Sequence, residues 1–192
     1  MTSLTSGQLR GTAASISISA LFALAWGLSG SFALLGIWRV AVLVLIILLT
    51  GLLGTAALQF TRAARHIVPG DEAALPNPFR TTSYRVSVLA MVLAFPLAGR
   101  LLSSSGHPNA IMPVIAIIVG LHFLGLIWAF RSTMFGWVAV AFCLVGGLAL
   151  FLPVQYGGVS LRQAFVGLGC AVVLWLGVTP LLIRTRRELA NT

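Results

Sequence analysis

Few residues in this sequence carry chemistry in an apolar setting, and His122 is the foremost of them. It stands in the run Ala116–Gly125, whose other members are apolar residues or glycine. An ionisable side chain in such a run is costly and is by default a functional candidate. Imidazole titrates near neutral pH, so His122 is a candidate ligand-contacting or proton-sensitive group. The structural alternative is a neutral histidine that is hydrogen-bonded to a neighbouring helix and fixes its packing.

Pairs of small residues four positions apart occur in three of the apolar runs, including the run of His122, and this spacing favours close contact between helices. Ala116 and Gly120 are four residues apart, as are Gly27 and Ser31, and Gly51 and Thr55. Such pairs allow two helix backbones to approach each other in lipid, so all six residues are predicted to pack helices. We expect the polar partner of His122 among the hydroxyl groups of the first two apolar runs, namely Ser15, Ser19, Ser29, Ser31, Thr50 and Thr55.

Three arginines form a second candidate site. Arg39, Arg100 and Arg162 each fall at a turn between apolar runs, and all three turns are predicted on the same side. Guanidinium groups bind carboxylate and phosphate well, so a cluster of the three would attract an anionic ligand. The alternative is that each arginine reaches separately to lipid headgroups.

Several chemistries are disfavoured by what the apolar runs lack. The three acidic residues, Asp71, Glu72 and Glu188, all lie outside the runs, which argues against a carboxylate proton relay. Cys143 and Cys170 show no metal-ligand spacing. Neither HExxH nor GxSxG occurs. We therefore predict no enzyme activity, no metal and no cofactor.

The elements that must position these residues follow from composition. Hydrophobic residues make up 59% of the 192 residues and charged residues only 8%, which places the chain among integral membrane proteins. A membrane-spanning helix needs about 20 mainly apolar residues. Six stretches qualify, so we predict an all-α bundle that forms a single membrane domain. The predicted spans are 13–35, 39–60, 84–103, 109–130, 134–153 and 162–183.

The arginines also predict an orientation. With the N-terminus in the cytoplasm, nine of the twelve arginines lie inside and three outside, so both termini are predicted to be cytoplasmic. The connection 61–83 is then a cytoplasmic loop. Because the net charge of +9 comes from arginines scattered at span edges, nucleic-acid binding is not expected. Cleavage after a signal peptide around Ala23–Ala25 is an alternative that would leave five spans and an external N-terminus.

The source membrane follows from the same composition. Every basic residue apart from the three histidines is arginine, and the chain is rich in Ala, Gly, Leu and Val. This bias is typical of GC-rich bacterial genomes, so we expect a multi-pass protein of the bacterial inner membrane. Its predicted partners are the lipid bilayer, a membrane protein or a second copy of the chain, and a small-molecule ligand.

The segment Val119–Leu124 resembles a Gly-Leu-His-Phe signature in the fourth span of small bacterial six-helix membrane proteins of unassigned activity. The resemblance implies the same fold, with Gly120 and His122 on the motif. The size and span number are also similar to those of the substrate-binding components of energy-coupling-factor vitamin transporters. Those carry an Ala-x-x-x-Ala docking pattern in the first helix, whereas no two alanines of span 13–35 are four residues apart.

Two functions are compatible with these patterns. A small-molecule transporter or substrate-binding membrane subunit is favoured by His122 and by the in-span prolines Pro96, Pro113 and Pro180, which can kink helices around a cavity. That function predicts a polar-lined cavity that reaches one membrane face. The alternative is a structural or regulatory subunit whose small-residue faces pack against a partner membrane protein.

Overall fold

The computed structural model describes residues 5–66 and 81–190, and within these ranges it is helical apart from short turns. Six of its helices are long and apolar enough to cross a membrane, which confirms the predicted all-α bundle of six spans. A 3₁₀ turn, Pro108–Ala110, precedes the fourth helix. The helices are α1 (Ser6–Phe32), α2 (Gly36–His66), α3 (Thr82–Ser104), α4 (Ile111–Phe130), α5 (Met134–Phe151) and α6 (Leu161–Ala190).

Helix ends differ from the predicted spans where polar residues continue a helix. The helix α1 begins at Ser6 because Thr5 forms a capping box with Gln8, each side chain accepting a hydrogen bond from the other's backbone N–H. At the far ends, α2 runs to His66 and α6 to Ala190. Hydropathy detects only the part of a helix that lies in lipid. Of the predicted loop 61–83, residues 67–80 lie outside the described residues.

The centre of the bundle is built from α1, α4, α5 and α6. Buried side chains from all four helices form one core, in which the rings of Trp26 on α1 and Phe142 on α5 meet edge to face, 6.0 Å apart. Cys170 on α6 is fully buried in the same core. The two remaining helices flank this centre, since α2 packs mainly on α1 and α3 packs mainly on α4.

A second core joins α1, α2 and α6 near the two chain termini. It includes Leu9 and Ile16 on α1, Phe60 and Ala64 on α2, and Val178 on α6. We call this region, where the start of α1 meets the ends of α2 and α6, the terminal end of the bundle. By contrast, α3 contributes no buried residue to either core.

Glycines set the spacing between the central helices. A Cβ atom on Gly30 of α1 would lie 2.7 Å from the backbone nitrogen of Leu168 on α6, and one on Gly167 would overlap the backbone of Gly30. Between α4 and α5, a Cβ on Gly120 would lie 2.6 Å from Cys143 Sγ, and one on Gly146 would lie 2.6 Å from the Pro113 carbonyl oxygen. Only glycine fits these contacts without displacing a helix.

Candidate functional site

The side chain of His122 is half-buried on α4 and faces the flanking helix α3. Its Nδ1 atom lies 2.9 Å from Ser87 Oγ, and the same hydroxyl lies 2.8 Å from the backbone carbonyl oxygen of His122. Ser87 therefore bridges the ring and the main chain of one residue. This polar contact ties α3 to α4 within the membrane-spanning part of both helices.

One arrangement of hydrogens satisfies both contacts of Ser87 at once. A serine hydroxyl carries one hydrogen, which Ser87 donates to the His122 carbonyl, and Nδ1 of a neutral imidazole donates its own hydrogen to Ser87 Oγ. In this arrangement the Nε2 atom is an acceptor.

Close approach of α3 to α4 depends on Gly125, which lies opposite Ser87. A Cβ atom on Gly125 would lie 2.6 Å from the Cβ atom of Ser87, so a larger residue would push the hydroxyl away from His122. One turn further along, the rings of Tyr84 and Phe130 meet edge to face with centroids 6.3 Å apart. The contact between the two helices thus combines a glycine, a hydrogen-bonded pair and an aromatic pair.

The partner of His122 is a hydroxyl on a neighbouring helix, as expected, but it is Ser87 on α3 and none of the residues named from the sequence. The named candidates were hydroxyl groups of α1 and α2. The helix α2 packs on α1, however, and the helix that packs on α4 from outside the core is α3. Two helices joined by a short turn usually pack as antiparallel neighbours. The short turn between the third and fourth spans therefore pointed to α3, the helix that carries Ser87, and that signal was missed.

Two of the three predicted edge arginines cap helix ends. Arg39 donates from Nε to the Leu34 carbonyl at 2.8 Å and from Nη2 to the Phe32 carbonyl at 3.1 Å. Arg162 donates from Nη2 to the Leu152 carbonyl at 2.7 Å and to the Leu150 carbonyl at 3.2 Å. Each arginine lies in the first turn of one helix and binds carbonyl groups at the end of the preceding helix and just beyond it, where carbonyl groups lack helical partners.

The hydrogen bonds of Arg39 and Arg162 do not join the three edge arginines to one another, so an anion site shared by Arg39, Arg100 and Arg162 stays a prediction. Arg100 is exposed on α3, whereas Arg39 belongs to α2, and these two helices flank different parts of the bundle. The guanidinium groups of Arg39 and Arg162 are directed to their own turns. The Nε atom of Arg162 is buried without a hydrogen-bond partner.

The predicted packing residues divide into two groups. Gly27 lies against Ile46 on α2, and Ala116 and Gly120 lie in the contact of α4 with its neighbours. Ser31 is fully buried and donates to the Leu28 carbonyl at 2.8 Å. A different result holds for Gly51 and Thr55, which are exposed on α2. No atom lies within 4 Å of a Cβ built on Gly51, so within the single chain this pair packs no helix.

A close backbone contact between α1 and α6 was not predicted. Gly30 and Gly167 bring α1 and α6 together backbone to backbone, and Gln163 adds a hydrogen bond from its side-chain amide to the Ser29 carbonyl at 3.0 Å. The spacing of Gly167 and Ala171 was the available signal, because both are small and four residues apart.

Two depressions in the molecular surface have no part in these contacts. One, of about 200 Å³, is apolar and lies between α4 and α5, lined by Leu124, Ala139, Val140, Cys143 and Leu144. The other, of about 520 Å³, lies on α6 near the terminal end. Neither is lined by His122 or by any of the three edge arginines. Among residues 5–66 and 81–190, no three His, Cys, Asp or Glu side chains come together as metal ligands would.

Comparison with known proteins adds no relative: no family model, curated protein or solved structure matches this chain. The resemblance of Val119–Leu124 to a Gly-Leu-His-Phe signature therefore stays a prediction. The described residues form six helices long and apolar enough to cross a membrane, and the Ser87–His122 and Gln163–Ser29 contacts join helices within their apolar parts.

Proposed function

We propose that the chain is a structural or regulatory membrane subunit that packs against another membrane protein through an open small-residue face of α2. The face consists of Gly51, Gly54 and Thr55. The observation that carries the proposal is that a Cβ on either glycine would meet no atom within 4 Å. Thr55 is exposed beside them and its hydroxyl binds the Leu52 carbonyl of its own helix.

The rest of the chain supports a role for such a face. Gly30, Gly120, Gly146 and Gly167 are all in contact with the backbone of a neighbouring helix. Helix association in lipid depends on van der Waals contact of this kind. The residues beside the open face are large and apolar, with Leu48, Leu52 and Leu58 more than half exposed. Small residues ringed by leucines form the shallow groove into which a partner helix packs.

The experiment introduces bulk into the groove. The variant Gly51→Leu/Thr55→Leu should lose its partner or its second copy when tagged protein is purified from native membranes in mild detergent. Gly147→Leu is the matched control, because a Cβ on Gly147 also meets no atom within 4 Å and the residue lies on α5. Wild-type protein that is monomeric in detergent and forms no cross-linked species in the membrane would contradict the proposal.

A transporter-like or substrate-binding function is the second candidate, and one observation favours it. His122 keeps an acceptor atom, Nε2, in a half-buried position inside a span, where an ionisable group is costly. If a polar cavity reaches His122, diethyl pyrocarbonate should modify it in intact membranes, with the exposed His107 as the positive control. Modification of the exposed His66 and His107 without modification of His122 would count against transport.

The orientation and location of the bundle are also proposed. The excess of arginines at the terminal end favours cytoplasmic termini, and the arginine-only composition favours a bacterial inner membrane. A cysteine placed at Ser105, in the turn between α3 and α4, should react with an impermeant maleimide added to intact cells. A cysteine at Thr133 should react only after lysis, and the reverse pattern would invert the orientation.

A further inference from the structure

A depression of about 520 Å³ lies on the surface of α6 where the helix leaves the predicted span. Its lining residues are Thr179, Pro180, Ile183, Arg184, Arg187 and Glu188. They recur at helical spacing along one side of α6 and extend over roughly 13.5 Å, at 1.5 Å per residue. The depression is open to its surroundings and lies apart from the contact of α3 with α4.

The lining changes character along the helix. Pro180 and Ile183 form an apolar part within the span, and the hydroxyl of Thr179 is bound to the Trp175 carbonyl at 2.8 Å. Arg184 and Arg187 form a cationic part beyond the span. Apolar side chains followed along the helix by two guanidinium groups match the order of acyl chain and phosphate in a phospholipid.

The charge balance at this end favours an anionic ligand. Arg184 donates from Nε to Glu188 at 2.8 Å, and this hydrogen bond raises the pKa of the already basic Arg184 guanidinium. Arg187 makes no ion pair within the described part of the chain. The terminal end carries four further exposed arginines on α1, α2 and α6, namely Arg10, Arg62, Arg65 and Arg186. Among the described residues of this end, Glu188 is the one acidic residue.

We propose that this depression binds the headgroup of an anionic phospholipid of the surrounding bilayer. The phosphate lies between Arg184 and Arg187, both of which can donate paired hydrogen bonds to phosphate oxygens. The first acyl carbons lie against Ile183 and Pro180. The site requires only that the chain spans the membrane, and it is independent of the partner face on α2. With cytoplasmic termini, it faces the inner leaflet.

The test compares two variants of equal charge. Full-length protein in mild detergent is titrated with phosphatidylglycerol, and bound lipid is counted by native mass spectrometry. Arg184→Gln/Arg187→Gln should bind about tenfold more weakly than the control Arg65→Gln/Arg186→Gln, which removes the same charge at the same end outside the depression. Glu188→Gln should tighten binding about twofold, because it removes the one acid beside the phosphate.

Three results would overturn this inference. Equal loss of binding in the two double variants would mean that only the overall charge of the terminal end attracts lipid. Binding of phosphatidylcholine as tight as that of phosphatidylglycerol would mean that the site does not distinguish the charge of the headgroup. Displacement of the lipid by inorganic phosphate alone would make a soluble anion the ligand. The oligomeric state of the same samples is measured in parallel, so failure of lipid binding is separable from failure of the α2 partner face.

Discussion

The contact between α1 and α6 and the contact between α3 and α4 hold helices together by different means. At Gly30 and Gly167 the backbones of α1 and α6 touch, and the side chains around them are buried. At Ser87 and His122, α3 is held by hydrogen bonds and a glycine, while none of its residues is buried. The contact between α1 and α6 depends on the fit of two helix surfaces. The contact between α3 and α4 depends more on individual side-chain contacts.

This difference shows which helices are firmly held in the bundle and which helix is more weakly held. In lipid there is little hydrophobic gain from pairing two apolar helices, so close packing and hydrogen bonds decide association. A helix in the shape-dependent contact cannot leave without breaking the core around Trp26 and Phe142. We expect α3, which is held by one glycine contact, one hydrogen-bonded pair and one aromatic pair, to separate more readily than the helices that share the core.

The largest expected effect is at the shape-dependent contact. Gly167→Leu should prevent normal packing of α1 on α6 and destabilise the bundle by about 3 kcal/mol or more, because the added side chain meets backbone that cannot move aside. Unfolding by sodium dodecyl sulfate, followed by circular dichroism or gel mobility, measures the loss. The free energy of unfolding of Gly147→Leu, where a Cβ has open space, should lie within about 1 kcal/mol of the wild-type value. A comparable loss of stability in both variants would contradict the difference between packed and open glycines.

A smaller effect is expected at the polar contact. Ser87→Ala removes the bridge to both the ring and the carbonyl of His122 and should cost about 1 kcal/mol. Because α3 lies outside both cores, the loss should appear as faster hydrogen–deuterium exchange of the amides of α3, while the exchange of α1, α5 and α6 stays unchanged. Ser83→Ala, at an exposed position one turn earlier, is the control. Global unfolding of Ser87→Ala would show that α3 is part of the central core.

The smallest effect in this set is expected for the ring itself. His122→Phe removes the Nδ1 contact but leaves the backbone carbonyl that accepts from Ser87, so it should cost about half as much as Ser87→Ala. The same measurement of hydrogen–deuterium exchange in α3 detects it. A loss larger than that of Ser87→Ala would assign His122 a role beyond holding α3, and would favour the transporter-like function.

The helices of this protein were predictable because hydropathy is a local property. Each apolar run is long enough to cross the bilayer whatever its neighbours are, and the same runs made His122, Gly120 and the edge arginines conspicuous. The boundaries were less predictable. Thr5 and Gln8 extend α1 through a capping box outside the apolar run, and hydropathy does not report on polar helix.

The sequence alone determined that this is a six-helix membrane bundle with a costly histidine in its fourth span, because length and apolarity leave few alternatives in lipid. Only the tertiary structure decided that Ser87 is the partner of His122, that Arg39 and Arg162 cap helix ends, and that the Gly51 face is open. Each of those results depends on which helices are neighbours. Neighbours are chosen by the fit of whole surfaces, such as Gly30 against Gly167, and no single run of residues encodes that fit.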